Sequence, residues 1–136
     1  FEAGTPAIEA TIGWGAALDY LSEVGMDRIA RHDQALVRRA AGGLRAVKGV
    51  EVLGPETDEM RCAAVGFRID GLEAHAVARM LSQRHNILVR SGFHCAQPLH
   101  ESRGLRPTVR ASFYLYNTED EVEALVEAVA SIASFL

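Results

Sequence analysis

The strongest constraint on the fold is an alternating stretch that leads directly into a capped apolar stripe. Between residues 108 and 116, apolar and polar side chains alternate with the period of a strand that has one buried face. Arg110 falls on the polar face, and the apolar face comprises Val109, Ala111, Phe113 and Leu115. The residues from Thr118 to Glu121 then have the spacing of a capping box, and an amphipathic helix follows. A half-buried strand joined to such a helix predicts a helix packed on one face of a sheet.

The rest of the chain predicts more elements of the same two kinds. Three further helices are expected. The first spans residues 6–24, with Thr5 as its N-cap and with Ile8, Ile12, Leu18 and Leu21 facing inward. The second runs from Asp27 to about Gly42–Gly43 or Gly49, and the third spans residues 70–85, with Asp70 and Glu73 as a capping box. Three further strands are expected at residues 50–53, 62–69 and 87–90, and the first two suit an antiparallel pair. This order predicts one α+β domain over residues 1–136, with helices on one face of a mainly antiparallel sheet.

Composition is typical of a globular protein and excludes several classes of function. The chain has 136 residues, a net charge of −4 and 49% hydrophobic residues, without a basic face dense enough to bind nucleic acid. No apolar run is long enough to span a bilayer and nothing at the start resembles a signal peptide, so no membrane contact is expected. The two widely separated cysteines make a reducing cytoplasm the expected compartment. The two cysteines form no CxxC pair, which argues against a disulfide framework or a zinc ribbon. Because the chain begins at Phe1, we expect it to be a piece of a longer protein.

A polar loop from Arg90 to Arg110 separates the last two predicted strands and contains the best candidate for chemistry. Its thiol, Cys95, is flanked by Arg90, His94 and His100. Long loops in compact domains are usually functional, and cationic neighbours favour the thiolate that acts as a nucleophile. Two interpretations stay open at this point: a reactive cysteine, or a small buried thiol that only packs.

The remaining candidates are an arginine, a second cysteine and a metal cluster. Arg110 is held on a strand, where its guanidinium can bind a carboxylate through two hydrogen bonds or can simply face solvent. Cys62 opens an apolar strand and is predicted to be a core thiol. Cys95, His94 and His100 lack a fourth ligand at any familiar metal spacing, so no metal site is predicted.

Three parts of the sequence together resemble one enzyme family. They are Phe1–Pro6, reading FEAGTP, then Arg90–Leu99, reading RSGFHCAQPL, and then Arg110–Ser112 with Tyr116–Val122. In order and spacing they resemble the C-terminal domain of pyridoxal phosphate-dependent cysteine desulfurases. These enzymes belong to the class V aminotransferase family, and the resemblance is to the subgroup that serves SUF-type iron–sulfur cluster assembly. Phe93 departs from the pattern, because the subgroup usually has histidine there.

The resemblance implies a fold and a role for each matching residue. The fold would be the small C-terminal domain of fold-type I pyridoxal phosphate enzymes. Cys95 would accept sulfur from L-cysteine as a persulfide, leaving L-alanine, and would pass it to a sulfur-acceptor protein. Arg110 would bind the α-carboxylate of the substrate, and Arg90 would line the site. Gly4 and Thr5 would contact the cofactor phosphate of the neighbouring subunit in a homodimer; a helix N-terminus suits a phosphate, although any capped helix has the same groups.

The lysine content limits what this chain can do alone. Pyridoxal 5'-phosphate enzymes use a lysine for the internal Schiff base, and Lys48, the single lysine, lies in a turn where it is expected to be solvated. The resemblance therefore implies a Schiff-base lysine in a large N-terminal domain outside this chain, and an isolated chain without activity. Two alternatives remain: a related class V enzyme such as a selenocysteine lyase, and a non-catalytic sulfur-carrier or dimerisation module.

Overall fold

The computed structural model describes residues 3–55, 57 and 61–135, so Phe1 and Glu2 of the FEAGTP segment lie outside the described residues. The elements are α1 (Ile8–Val24), α2 (Met26–Ala46), β1 (Val50–Leu53), β2 (Ala64–Ile69), α3 (Ala74–His85), β3 (Arg90–Gly92), α4 (Gln97–Ser102), β4 (Thr108–Ser112) and α5 (Glu119–Ala133). The chain divides into two compact units, residues 1–31 and residues 32–136. Within the described ranges, no helix combines the length and the apolarity that crossing a membrane requires.

The first unit contains α1, whose predicted end is confirmed and whose predicted start is wrong. Gly25 follows the helix with φ of 91° and donates its N–H to the carbonyl of Leu21, as a glycine stop should. Thr5 is not the N-cap. Ala7 holds that position without any side-chain hydrogen bond to the helix, so the first turn is left without a side-chain cap.

The predicted inward stripe of α1, namely Ile8, Ile12, Leu18 and Leu21, is also wrong. No residue of α1 is buried, and Ile12 is 70% exposed. The reason is that apolar side chains lie around the whole helix. Trp14 lies on the same side as Leu18 and Leu21, Tyr20 lies on another face, and both are exposed. A helix that is apolar all round has no single face to present to a core.

The second unit is built on a four-stranded sheet in the order β1-β2-β4-β3, and every neighbouring pair is antiparallel. The predicted α+β class and the predicted antiparallel sheet are therefore confirmed. The register places Arg110 of β4 opposite Gly66 of β2 on one side and opposite Arg90 of β3 on the other. Residues that pair directly across strands share a face of the sheet, so both arginines belong to the same face.

One face of this sheet carries the core, as the alternating pattern predicts. Val65, Phe67 and Ile69 of β2 are buried together with Val109 and Ala111 of β4. The helices supply the rest of the core from the same side, mainly through Leu36, Leu44, Val77, Leu81, Val122, Leu125, Val129 and Ile132. The polar side chains of β4, including Arg110, lie on the opposite face of the sheet, where a functional site can form.

The second helix runs past Gly42–Gly43, the first of its two predicted ends, and stops at Ala46, three residues before Gly49, the other. Gly42 and Gly43 lie inside α2, which continues to Ala46. At Gly43 an added Cβ would lie 2.7 Å from Cγ2 of Val126 on α5. The glycine therefore permits the close packing of two helices, and burial outweighs the ~1 kcal/mol that glycine costs a helix.

Three other boundaries differ from prediction, and at two of them a local hydrogen bond redirects the backbone. α3 begins at Ala74 with Glu73 as N-cap and no side-chain cap bond, so the predicted Asp70 capping box is wrong. Ile87 donates its N–H to the carbonyl of Leu81, closing α3, so β3 starts at Arg90 instead of residue 87. β4 stops at Ser112 instead of Tyr116, because a turn follows in which Asn117 accepts the N–H of Tyr114.

The last helix follows its prediction closely. Thr118 is the N-cap of α5, and its hydroxyl accepts the N–H of Glu121 at 3.3 Å. The carboxylate of Glu121 accepts the N–H of Thr118 at 2.9 Å in return. This reciprocal pair is the predicted capping box.

Candidate active site

The candidate site is built around a tight turn between β3 and α4, which we call the cysteine turn (Phe93–Ala96). The N–H of Ala96 donates to the carbonyl of Phe93 at 2.8 Å, so His94 and Cys95 are the two central residues. Their φ angles are 56° and 61°. Positive φ at both central positions is typical of primed turns, which favour Asn-Gly. A side chain in this region costs about 1–2 kcal/mol per residue, and such strain is concentrated at functional sites.

Cys95 is exposed, and it is held by a neighbouring cation. Nη2 of Arg90 lies 3.0 Å from its Sγ. The exposure excludes the interpretation of Cys95 as a buried thiol that only packs. Cys62 is exposed too, immediately before β2, so its prediction as a core thiol is wrong. The apolar run that suggested burial starts at Ala64, and Cys62 precedes the strand instead of belonging to it.

Arg110 gives the site a second fixed cation. Its side chain is half-buried on β4, and its Nε is fully buried without a hydrogen-bond partner among the described residues. Gly66, its partner on β2, has no side chain to fill the space beside it, and Arg90 lies opposite on β3. Two like charges directly opposite are unfavourable by themselves. An anion between or above the two guanidinium groups would compensate both charges. A carboxylate that accepts paired N–H groups is such an anion.

A second layer of polar side chains lies behind the turn, and the sequence did not single out its centre, Thr108. The Thr108 hydroxyl oxygen lies 2.9 Å from Nε2 of His94 and 3.2 Å from Nε2 of His100. Nδ1 of His100 is 3.0 Å from the carbonyl oxygen of Ala96. Thr108 and His100 are both buried. One signal could have found Thr108: period two places it on the same face of β4 as Arg110.

Burial and positive neighbours act together on His94. Burial lowers its pKa first, and the charge of Arg110 lowers it further, with His100 and Arg90 acting in the same direction. A hydrogen bond with the backbone of Thr108 raises the pKa of His94 but does not reverse the result. His94 is therefore the neutral imidazole at neutral pH.

His100 reaches this layer because residues 97–102 form the short helix α4, where only a loop was predicted. Pro98 near its start suits the first turn of a helix. Phe93 contacts the His100 ring edge-on, with centroids 5.4 Å apart. In the part of the chain that is described, no cluster of three His, Cys, Asp or Glu residues could hold a metal ion.

Gly4 and Thr5, the predicted phosphate-binding residues, lie in the first unit just before α1. Gly4 has φ of 94°, a conformation suited to glycine, and both residues are exposed. Because no side chain caps α1, the N–H groups of its first turn can bind an anion such as a phosphate. Gly4 and Thr5 precede that first turn, which carries the acidic Glu9, and their contact with a cofactor phosphate stays a prediction. Lys48 is exposed in the turn before β1, as expected.

An exposed, cation-held thiol beside a strand arginine is the arrangement expected of the thiol-bearing part of a class V enzyme. The chain belongs to the class-V aminotransferase family, which it matches over residues 1–125.

Among curated relatives it is 47% identical over 129 residues to a probable cysteine desulfurase of Halobacterium salinarum, an alignment that covers 95% of this chain and 31% of the relative. Among solved structures it is similar to the apo cysteine desulfurase of Thermococcus onnurineus, with a TM-score of 0.94 and 40% identity over 100% of this chain and 34% of the other. It is also similar to the cysteine desulfurase CsdA of Escherichia coli, with a TM-score of 0.89 and 32% identity over 100% and 33% of the two chains. The chain thus spans about a third of the length of the relatives it matches.

Proposed function

We propose that this chain is the thiol-bearing C-terminal part of a pyridoxal phosphate-dependent cysteine desulfurase. The longer enzyme would convert L-cysteine to L-alanine and carry the sulfur as a persulfide on Cys95 to an acceptor protein for iron–sulfur cluster assembly. One observation carries the proposal: Cys95 is exposed on a strained turn with the Arg90 guanidinium 3.0 Å from its sulfur. The relatives described as cysteine desulfurases support it, and so does the S-sulfonic acid reported for the Escherichia coli protein.

Different residues of this chain bind the substrate and accept its sulfur. Arg110 binds the α-carboxylate of L-cysteine, and this orients the substrate's thiol toward the cysteine turn. The chemistry that pyridoxal phosphate supplies when bound is that of an electron sink at the substrate's α-carbon. Sγ of Cys95, as a thiolate, attacks the substrate sulfur: an S–S bond forms and the Cβ–S bond breaks. The electron pair of that bond stays with the substrate, which takes up protons and leaves as alanine, and Cys95 is left as the persulfide.

Other parts of the proposal concern the longer protein. Gly4 and Thr5 would bind the cofactor phosphate of a neighbouring subunit in a homodimer, and the enzyme would act in the cytoplasm. The exposed apolar side chains of α1 support the proposal that this helix contacts another part of the longer protein. Lys48, exposed in a turn, is not placed as a Schiff-base lysine would be, so the isolated 136-residue chain would be inactive.

The test replaces each exposed thiol in the longer enzyme. Cys95→Ser should abolish persulfide formation and reduce alanine release to background, while the cofactor absorbance stays unchanged. Cys62→Ser is the matched control, because it is also exposed but precedes β2, which pairs there with the Ser112 end of β4, away from Thr108. It should keep the parent rate. Alanine release at the parent rate by Cys95→Ser would refute the role of Cys95, and the same assay with L-selenocysteine distinguishes a selenocysteine lyase.

A further inference from the structure

The hydrogen bonds behind the cysteine turn form one continuous series whose direction can be worked out. It begins at the Ala96 carbonyl, which can only accept, so Nδ1 of His100 carries the hydrogen. In a neutral His100 the other nitrogen, Nε2, is then an acceptor. Its partner is the Thr108 hydroxyl, 3.2 Å away, which must donate to it.

The same reasoning fixes the state of His94. The Thr108 hydroxyl has a single hydrogen, and His100 takes it. The Thr108 oxygen can therefore only accept from Nε2 of His94, at 2.9 Å. His94 is thus the Nε2–H tautomer, and its Nδ1 is an unprotonated acceptor. Independently, Nδ1 of His94 is fully buried and has no hydrogen-bond partner among the described residues.

This series ends on the strained residues that present the thiol. His94 and Cys95 both hold positive φ, which non-glycine residues adopt only where surrounding contacts enforce it. The contacts that hold the turn are the Ala96 N–H to Phe93 carbonyl bond, the bond from Arg90 to Sγ, and the bond from His94 to Thr108. Of these three contacts, only the bond from His94 to Thr108 joins a central side chain of the turn to a buried residue of the sheet.

We propose that Thr108 and His100 are positioning residues for Cys95: through Thr108, His100 holds His94 as the Nε2–H tautomer and so fixes the cysteine turn. This deepens the proposed function and rests on it for the use made of the thiol. The charged and titratable groups that act on His94 are Arg110 of β4, Arg90 of β3 and His100 of α4. The fixed positive charges of Arg110 and Arg90 oppose a second proton on His94, so its Nδ1 stays unprotonated.

The direct test reads the tautomer without any activity. In the 136-residue chain labelled with ¹⁵N-histidine, NMR should show His94 as Nε2–H and His100 as Nδ1–H at neutral pH. Thr108→Val keeps the shape of the side chain but removes the hydroxyl, so His94 should lose its single tautomer. Thr108→Ser keeps the hydroxyl and should restore it. A role in packing alone predicts the reverse order, because valine preserves the packing better than serine does.

Activity in the longer enzyme gives a second measurement. Thr108→Val should lower kcat at least ~10-fold, since misplacing a reacting group by about 1 Å costs up to ~100-fold, while KM for cysteine changes less than twofold. Thr108→Ser should recover most of kcat. If Thr108→Val does not fold, as judged by thermal melting, His100→Met removes the nitrogen that accepts the Thr108 hydroxyl hydrogen, and it should again release the His94 tautomer.

The outcomes are separable from those for the proposed function. Observation of His94 as the Nδ1–H tautomer in the parent chain overturns the inference, as does a Thr108→Val variant with parent tautomer or parent kcat. If Cys95→Ser keeps the parent rate, the proposed function fails, but the tautomer measurement still stands on its own.

Discussion

Replacing Arg110 by alanine should weaken substrate binding and leave the fold intact. A charge-assisted hydrogen bond contributes about 1.5–3 kcal/mol, which corresponds to a loss of about 10- to 150-fold in affinity at 1.4 kcal/mol per tenfold. The upper half of this range is expected, because Nε of Arg110 is buried, has no hydrogen-bond partner among the described residues, and can donate to a carboxylate. The fold should tolerate the change, since like charges opposite each other, here Arg110 and Arg90, are unfavourable by roughly 0.2–1 kcal/mol.

The assay is steady-state alanine release over a range of L-cysteine concentrations in the longer enzyme, with urea unfolding of the same variants. Arg110→Ala should raise KM for cysteine by about 40- to 150-fold, the upper half of the range estimated from the lost bond. Arg68→Ala is the matched control, an exposed arginine on neighbouring β2 that pairs with Glu51 of β1. It should leave KM unchanged. A KM for Arg110→Ala within twofold of the parent, or an equal rise in Arg68→Ala, would refute a carboxylate-binding role.

The other predictions concern stability. Thr118→Ala removes the cap of α5 and should lower the free energy of unfolding by about 1 kcal/mol in urea denaturation; no change would mean that the cap contributes nothing. The side chain of Asn117 and the N–H of Thr118 lower the pKa of Glu121. The stability that these two hydrogen bonds give the folded protein is therefore present above the ordinary glutamate pKa and is lost as pH falls through the lowered pKa. Glu121→Gln should remove that part of the acid-side slope, and an unaltered slope would contradict it. Gly43→Ala should destabilise, because its methyl meets the facing valine of α5 at 2.7 Å, whereas Gly42→Ala, with nothing within 4 Å, should stabilise by about 0.5–1 kcal/mol; equal effects would contradict the packing.

Sequence reasoning succeeds where local chemistry alone determines the structure. The capping box at Thr118 and Glu121 is completed within four residues, and the alternation of β4 needs only a core on one side. The capping box is found as predicted. The alternation of β4 is found from Thr108 to Ser112, where the strand ends short of the predicted Tyr116. The antiparallel pairing of β1 with β2 likewise follows from the turn residues between them, such as Gly54–Pro55.

Sequence reasoning fails where contacts with a distant segment determine the structure. Gly43 has the local signature of a helix end, but its contact with Val126, 83 positions later, makes it a packing position inside α2. Cys62 adjoins an apolar run, yet the strand it was assigned to starts two residues later, and no local signal marks that limit. In the site, the chemistry-bearing residues Cys95, Arg90 and Arg110 were named from sequence, but not the geometry that joins them.

That geometry explains why the thiol and the guanidinium lie on different parts of the sheet. Arg110 is on β4, which is hydrogen-bonded on both sides by β2 and β3, so its position is set by two strands. Cys95 lies beyond the end of β3, a three-residue edge strand, on an exposed turn. A group that binds substrate needs the first environment, because misplacement reduces rate steeply. A thiol that must also meet an acceptor protein needs the second, because a residue within the paired strands could not be reached. The strained turn held through Thr108 reconciles the two requirements: it exposes the sulfur while fixing the residue next to it to the sheet that holds Arg110.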